Sequence, residues 1–402
     1  MEHFTFDDME FTEETRLLYE GDHVDGTKLS PEAFPLYMTS AFTMGNLDDV
    51  KATYDRKGMT YVRTRNPDRK ALADVVSYLE QGLDTLIFSS GMGAITTTYF
   101  ALLKPGDHFL CNENIYGETF DAINSLLSNY GVEATFVPFD DLDAVKAAVR
   151  PNTKMLYTEV ASNPTDRLCD ISALADIAHA NDAWLMVDNT FTTPINIKPL
   201  TLGADIVINS LTKFLNGHSD ALAGSITIKD RTLFDRIHTT RMLTGTSGCP
   251  FASWMVYRGI HTAELRIRRQ SSNAAKLAAA LAKNPHVSAV NHPSVSSHPQ
   301  YELGKKLFAS PESMTGMLSF DMPDDHEKIN AFMDRLHIAH YAPTLGGIRT
   351  TLSYPLLSSP MHVPKEDLVK MHISGGTMRV SCGVENPDDL IKDFENALQV
   401  FD

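Results

Sequence analysis

Residues 184–213 read WLMVDNTFTTPINIKPLTLGADIVINSLTK. Two short apolar runs, Trp184–Val187 and Ile206–Ile208, stop abruptly on polar residues: Asp188-Asn189-Thr190 after the first, Asn209-Ser210-Leu211-Thr212-Lys213 after the second. Apolar runs this short, bounded by turn-forming residues, predict strands covered on both faces, as in a parallel sheet. In an open parallel sheet ligands bind beyond the carboxyl ends of the strands. The residues that follow each run are therefore the ones to compare.

Working outward, the same alternation continues. Thr85–Phe88 is followed by a glycine turn and a helical pattern over Ala94–Leu103. Phe109–Cys111 precedes a loop and helical residues to about Leu127. Val132–Val137 alternates as a strand, Asp140 and Asp141 introduce a helix through Val149, and Met155–Thr158 and Trp184–Val187 flank an Ile171–Ala180 helix. Strands alternating with helices predict an α/β fold with a mostly parallel sheet. Three segments are expected: an arm over 1–62 with one short helix near Glu13–Tyr19, an α/β domain over 63–257, and an α+β C-terminal domain over 258–402. The last is expected to hold a long helix (Thr262–Ala282), strands at Met317–Asp321, His337–Ala342 and Thr377–Ser381, and a closing helix over Pro387–Val400.

The 402 residues are too many for one small core and predict two or three packed units. A formal net charge of -16 argues against nucleic-acid and anionic-membrane partners. Four scattered cysteines without a CxxC pair predict neither a metal site nor a disulfide framework. The acidic N-terminus has no signal-peptide pattern, and no apolar run approaches the length of a membrane span, so a cytoplasmic location is expected.

Five strand tips carry chemistry: Ser89 to Gly93, Asn112 to Tyr116, Glu159 to Asn163-Pro164, Asp188, and Ser210 to Lys213. The Ser90-Gly91-Met92-Gly93 turn opens a helix, and free N–H groups there favour a phosphate, although glycine turns are common for purely structural reasons. Asp188 taken alone suits a helix cap or an Asx turn better than a ligand contact, although a protonated ring nitrogen would satisfy it. A lysine buried behind an apolar strand has its pKa lowered, which suits a Schiff base. An acid and a lysine on successive tips, with hydroxyls and a phosphate-type turn, form the set that a pyridoxal phosphate (PLP) enzyme requires. A dinucleotide enzyme is disfavoured because no GxGxxG follows the first strand.

The chain resembles the Cys/Met-metabolism family of PLP enzymes, which includes cystathionine γ-synthase, cystathionine and methionine γ-lyases and O-acetylhomoserine sulfhydrylases. The resemblance runs from Thr15-Arg16 to Leu398. It rests on Pro35 to Ser40, Tyr61-Val62-Arg63 with Asn66-Pro67, Ser90 to Ile95, Tyr116-Gly117, Ser162-Asn163-Pro164, Val187 to Thr190, Ser210 to Phe214 with Asn216-Gly217-His218 and Asp220, Leu345-Gly346-Gly347, and Arg379-Val380-Ser381. It implies the PLP-dependent transferase fold type I, like aspartate aminotransferase. It also implies roles. Lys213 would carry the cofactor and shuttle protons, Asp188 would pair with the ring nitrogen, and Tyr116 would stack on the ring and assist proton transfer. Ser90, Gly91, Met92, Ser210 and Thr212 would hold the phosphate, while Tyr61 and Arg63 would reach the phosphate of a neighbouring subunit in a dimer or tetramer. Arg379 would grip the substrate carboxylate, helped by Asn163, itself also against the cofactor, and by Thr344.

The chain departs from the family pattern at Thr344 (usually Ser), Pro343, Arg349, Leu211, Asp68 and Glu118. Glu118 either points into the site, where it would favour a cationic or hydrogen-bonding substrate end, or faces solvent. The expected reaction is γ-elimination on a sulfur-type amino acid, giving a 2-oxoacid and ammonia. γ-Replacement by a thiol and β-elimination from cystathionine are the alternatives.

Overall fold

The computed structural model describes residues 12–20, 31–358 and 373–402. Its large sheet contains β1 (Asp84–Phe88), β2 (His108–Asn112), β3 (Glu133–Val137), β4 (Thr153–Glu159), β5 (Trp184–Asp188), β6 (Ile206–Asn209) and β7 (Gly224–Ile228), in the order β1-β7-β6-β5-β4-β2-β3. β7 runs antiparallel to both its neighbours and the remaining pairs are parallel. The α/β, mostly parallel reading therefore holds, with β7 an addition that the sequence pattern did not disclose.

The central strands owe their composition to burial on both faces. Leu156, Leu185, Val187 and Val207 pack into one core layer, whereas Met155, Tyr157, Met186, Ile206 and Ile208 pack into the layer on the other face. Successive residues of a strand point to opposite faces, so an uninterrupted apolar run feeds two cores at once. Helices supply both layers. Pro67–Glu80 starts with proline at its first turn and is capped by Asn66, whose side chain accepts from the Arg69 N–H. Ile171–His179 is capped by Asp170.

A smaller sheet comprises β8 (Ala289–Asn291), β9 (Met317–Asp321), β10 (His340–Tyr341), β11 (Thr351–Ser353) and β12 (Thr377–Ser381), ordered β10-β11-β12-β9-β8. It packs with the Ala263–Leu281 and Pro387–Leu398 helices around Leu318, Phe320, Phe332, Val380 and Phe394. The two sheets meet where the loop after β6 passes under the long helix. Buried Arg266 donates to the carbonyls of Phe214 (2.7 Å), Leu215 (3.0 Å) and Gly259 (2.9 Å). Gly346 has φ +79° and lies so close to the Phe214 N–H that a Cβ there would collide with it.

Two expectations need correction. The strand expected over His337–Ala342 is confined to His340–Tyr341, because Asp393 on the closing helix accepts the N–H groups of His337, Ile338 and Ala339 that a longer ladder would use. The arm holds Glu13–Leu17 as foreseen, but also a helix over Leu47–Asp55, capped by Asn46. That helix buries no residue, so it has no apolar stripe to announce it.

Candidate active site

The tips of β1, β2, β4, β5 and β6 open onto one cavity of about 220 Å³, closed on the far side by the small sheet. Ser90, Gly91, Met92, Tyr116, Asn163, Asp188, Ser210, Thr212, Lys213, Thr344 and Arg379 all line it, as does Pro343.

The turn after β1 is built for an anion. Ser90 caps the Gly91–Leu102 helix by accepting from the Gly93 N–H at 3.0 Å. The N–H groups of Gly91 and Met92 lie in the first turn, where the helix offers them no acceptor. A Cβ at Gly91 would stand 3.1 Å from Cβ of Ser210, so the turn and the β6 tip are already in close contact. Thr190 links that tip to its neighbour: its N–H donates to Asp188 Oδ1 (2.9 Å) and its Oγ1 accepts from the Ser210 N–H (2.8 Å). Thr212 Oγ1 exchanges hydrogen bonds with the backbone of Ala223.

Lys213 follows directly. Burial, together with the positive charge of Arg379, lowers the pKa of its amine, while Glu118 opposes the shift. A larger fraction of free base results, which a nucleophilic amine needs. Asp188 receives the Tyr157 hydroxyl at 3.4 Å as well as the Thr190 N–H. Its carboxyl is nevertheless raised, because burial outweighs those bonds. Tyr116 is 41% exposed. Burial, and then the Glu118 carboxylate that accepts from its hydroxyl, raise its pKa.

Arg379, on the central strand of the small sheet, spans both sheets. Its Nη1 donates to Asn163 Oδ1 at 3.0 Å and its Nη2 to the Thr344 carbonyl at 3.4 Å. The peptide bond between Asn163 and Pro164 is cis. Close by in the chain, Asp166 is fully buried, with φ +50° and no hydrogen-bond partner for either carboxylate oxygen. Burial pushes its carboxyl well up, against the opposing charge of Arg379.

Three expected residues stand apart from the cavity lining. Tyr61 and Arg63 are exposed, Arg63 lies over the Tyr61 ring at 5.5 Å, and its Nη1 donates to the Met242 carbonyl. Glu118 is exposed and absent from the lining, although its carboxylate still helps to raise the Tyr116 pKa from the rim. Arg349 is exposed and absent from the lining, and Asp68 instead accepts from the Tyr37 N–H, tying the arm to the first helix of the α/β domain. Residues given no role from sequence also line the cavity, among them Glu159, Thr190, Phe191 and Leu222. Glu159 carried the same signal as Asp188, an acidic residue ending a buried strand.

The donor set would fit pyridoxal phosphate: a helix-start turn that could hold the phosphate, a carboxyl that could meet a ring nitrogen, and a lysine with a lowered pKa in the same cavity. Comparison with known proteins agrees. The family model for Cys/Met metabolism PLP-dependent enzymes matches residues 14–399. A cystathionine gamma-lyase of Bacillus subtilis is 36% identical over 95% of this chain and 98% of its own. A cystathionine beta-lyase of the same organism is 36% identical over 97% of each. A solved cystathionine gamma synthase of Xanthomonas oryzae, in complex with aminoacrylate and cysteine, superposes with a TM-score of 0.91 at 28% identity, covering 98% of this chain and 99% of that one. The large parallel sheet with its separate small sheet is the fold type I architecture of these enzymes, and the chain belongs to the Cys/Met metabolism family of PLP-dependent enzymes.

Proposed function

We propose that the protein is a γ-lyase for a sulfur-containing amino acid, releasing a 2-oxoacid and ammonia. The observation that carries this reading is the placement of Lys213 and Tyr116 in one cavity whose far wall is the Arg379–Asn163 pair. Arg379 would hold the substrate carboxylate through a two-pronged, charge-assisted contact. With the carboxylate fixed, the α-carbon comes to lie near Lys213. Bound pyridoxal phosphate supplies a ring that accepts the charge left behind when the α-proton departs. Lys213 Nζ takes that proton, and Asp188, as an anion, keeps the ring nitrogen protonated. Once Lys213 has passed that proton on, it or Tyr116 would remove a proton from the β-carbon, the γ-substituent would leave as a thiol carrying one of these protons, and water would release the 2-oxoacid and ammonia. Ser90, Gly91, Met92, Ser210 and Thr212 would hold the phosphate. The cystathionine gamma-lyase similarity and the Ser-Gly-Met-Gly-Ala-Ile turn at 90–95 favour elimination over replacement.

Tyr61 and Arg63 are assigned to the phosphate of a neighbouring subunit, which makes a dimer the smallest active unit. Their exposure and their separation from their own cavity support this. Mixing a Tyr61 variant with a Lys213 variant should restore activity; no recovery would refute shared sites.

The deciding experiment offers methionine, cystathionine, and O-acetylhomoserine with and without a thiol, and measures 2-oxoacid and thioether. Lys213→Ala must abolish the visible band of the bound cofactor. Oxoacid formed without thiol supports the lyase, whereas thioether formed only with thiol identifies a γ-replacement enzyme.

A further inference from the structure

Glu80 is the last residue of the Pro67–Glu80 helix and is buried, as are Asn189 after β5 and Asn209 at the end of β6. Its Oε1 accepts both amides, from Asn189 Nδ2 at 3.0 Å and from Asn209 Nδ2 at 2.7 Å. Its Oε2 is buried and meets no donor among the described residues, and the same holds for Asn209 Oδ1. A carboxylate has two equally basic oxygens, so two donors on one and none on the other is a costly arrangement for an anion. A carboxylic acid has no such conflict. Its carbonyl oxygen has two lone pairs for the two amides, and its hydroxyl is a donor. The amide already bound to that carbonyl is the one whose oxygen lacks a partner. An acid and a primary amide each carry a donor beside an acceptor, so a proton on Oε2 closes a ring of two bonds with Asn209: Nδ2–H to Oε1 and Oε2–H to Oδ1. One proton satisfies both stranded oxygens.

The surroundings of Glu80 favour the neutral form on separate grounds. The C-terminus of a helix carries partial negative charge and disfavours an anion. Among the described residues the charged group that acts on Glu80 is Lys198, whose Nζ is committed to the carbonyls of Leu79 and Pro194, both at 2.8 Å, and to Glu13 Oε2 at 2.9 Å. Burial raises the carboxyl to about 7.

The ring bears on the tip that carries Ser210. Asn209 precedes Ser210, whose N–H donates to Thr190 Oγ1. Asn189 is also held by the Ile197 carbonyl and the Thr192 hydroxyl, whereas the Asn209 side chain has Glu80 alone among the described residues. We propose that Glu80 is a positioning residue that acts as a protonated acid in a two-bond ring with the Asn209 amide, and that loss of this proton as the pH rises loosens the β6 tip and weakens its hold on the cofactor phosphate. The proposal rests on the assignment of Ser210 to the phosphate made above.

The test compares wild type, Glu80→Gln, Glu80→Leu and Ser210→Ala. Each holoenzyme is dialysed to equilibrium against pyridoxal phosphate at about pH 6 and about pH 8.5 to obtain its cofactor affinity. Glutamine rebuilds the ring without a titratable proton, because its carbonyl accepts both amides and its own amide donates to Asn209 Oδ1. Glu80→Gln should match wild type within about twofold at the lower pH and bind the cofactor about threefold or more tightly than wild type at the higher, where wild type has lost one hydrogen bond of the ring. Glu80→Leu fills the space with no hydrogen-bonding group and should bind about fivefold or more weakly than Glu80→Gln at both pH values. Infrared difference spectra of wild type against Glu80→Gln should show the carbonyl stretch of a protonated acid at the lower pH, fading toward the higher. Equal pH responses in wild type and Glu80→Gln overturn the proposal, as does a Glu80→Gln form as weak as Glu80→Leu at the lower pH. A Ser210→Ala form that binds the cofactor as tightly as wild type overturns the assignment of Ser210 and the consequence drawn for the cofactor, while the infrared band judges the ring independently.

Discussion

Asp166→Asn should stabilise the protein at neutral pH and gain little in acid. Asp166 is fully buried, neither oxygen has a partner, and burial raises its carboxyl well above the usual range despite Arg379. An acid whose pKa is raised on folding binds its proton more tightly in the folded state, so its contribution to stability is greatest below the unfolded pKa of about 3.9 and declines as pH rises toward the folded value. The decline is about 1.4 kcal/mol per pH unit, or about 2.7 kcal/mol between pH 5 and pH 7 if the group stays protonated throughout. Asparagine has the same shape and cannot ionise, so it removes the pH-dependent part and keeps the unsatisfied polar group. For 402 residues an unfolding entropy of about 0.8 kcal/mol per degree converts that energy into about 3 °C. The measurement is the difference in Tm between variant and wild-type holoprotein at pH 5, 6 and 7, which cancels the pH response that both share. A difference that grows with pH supports the reasoning. A variant that loses stability at pH 7 would show that attraction to Arg379 exceeds the cost of burying the charge.

Arg379→Lys keeps a positive charge but loses the planar fork, and should lower kcat/KM by about 10- to 100-fold, mostly through KM, matching about 1.5–3 kcal/mol for charge-assisted hydrogen bonds; steady-state kinetics with saturating cofactor checks it. Glu118→Gln removes the carboxylate that helps raise the Tyr116 pKa, so where Tyr116 acts as the base the limb on which activity rises with pH should move to lower pH, as a rate–pH series would show. Gly346→Ala puts a side chain where φ is +79° and where it would collide with the Phe214 N–H, and should lower Tm and cofactor affinity together, read by thermal denaturation and apoprotein titration.

Much of the site was legible because a strand buried on both faces is a conspicuous apolar run, and the polar residue that ends it is equally conspicuous. Asp188, Ser210 and Lys213 were found that way. Arg379 had no such mark. It sits on a strand of the small sheet and meets Asn163 across 216 positions of sequence, so only the family resemblance located it. β7 escaped because its partners, β1 and β6, are set by topology rather than by local pattern. Asp166 escaped for a related reason. A polar residue in a loop reads as exposed, and its complete burial is a fact of tertiary packing that no local signal carries.

The tips of β5 and β6 show how this site is held in shape. Buried Glu80 accepts from the Asn189 amide at 3.0 Å and from the Asn209 amide at 2.7 Å, both on Oε1. Asn189 follows Asp188 and Asn209 precedes Ser210, so one carboxyl fixes the spacing between Asp188 and Ser210. Asn189 also donates to the Ile197 carbonyl and accepts from the Thr192 hydroxyl, leaving its amide no rotational freedom. Burial raises Glu80 to about 7 against the help of both amides, so fixing these tips costs stability as pH rises from the unfolded carboxyl range toward neutrality. A group that served stability alone would be better replaced by an apolar side chain. Its place under the two strand ends makes sense as preorganisation, in which supporting hydrogen bonds hold the residues of the cavity within a narrow range of positions before any ligand arrives.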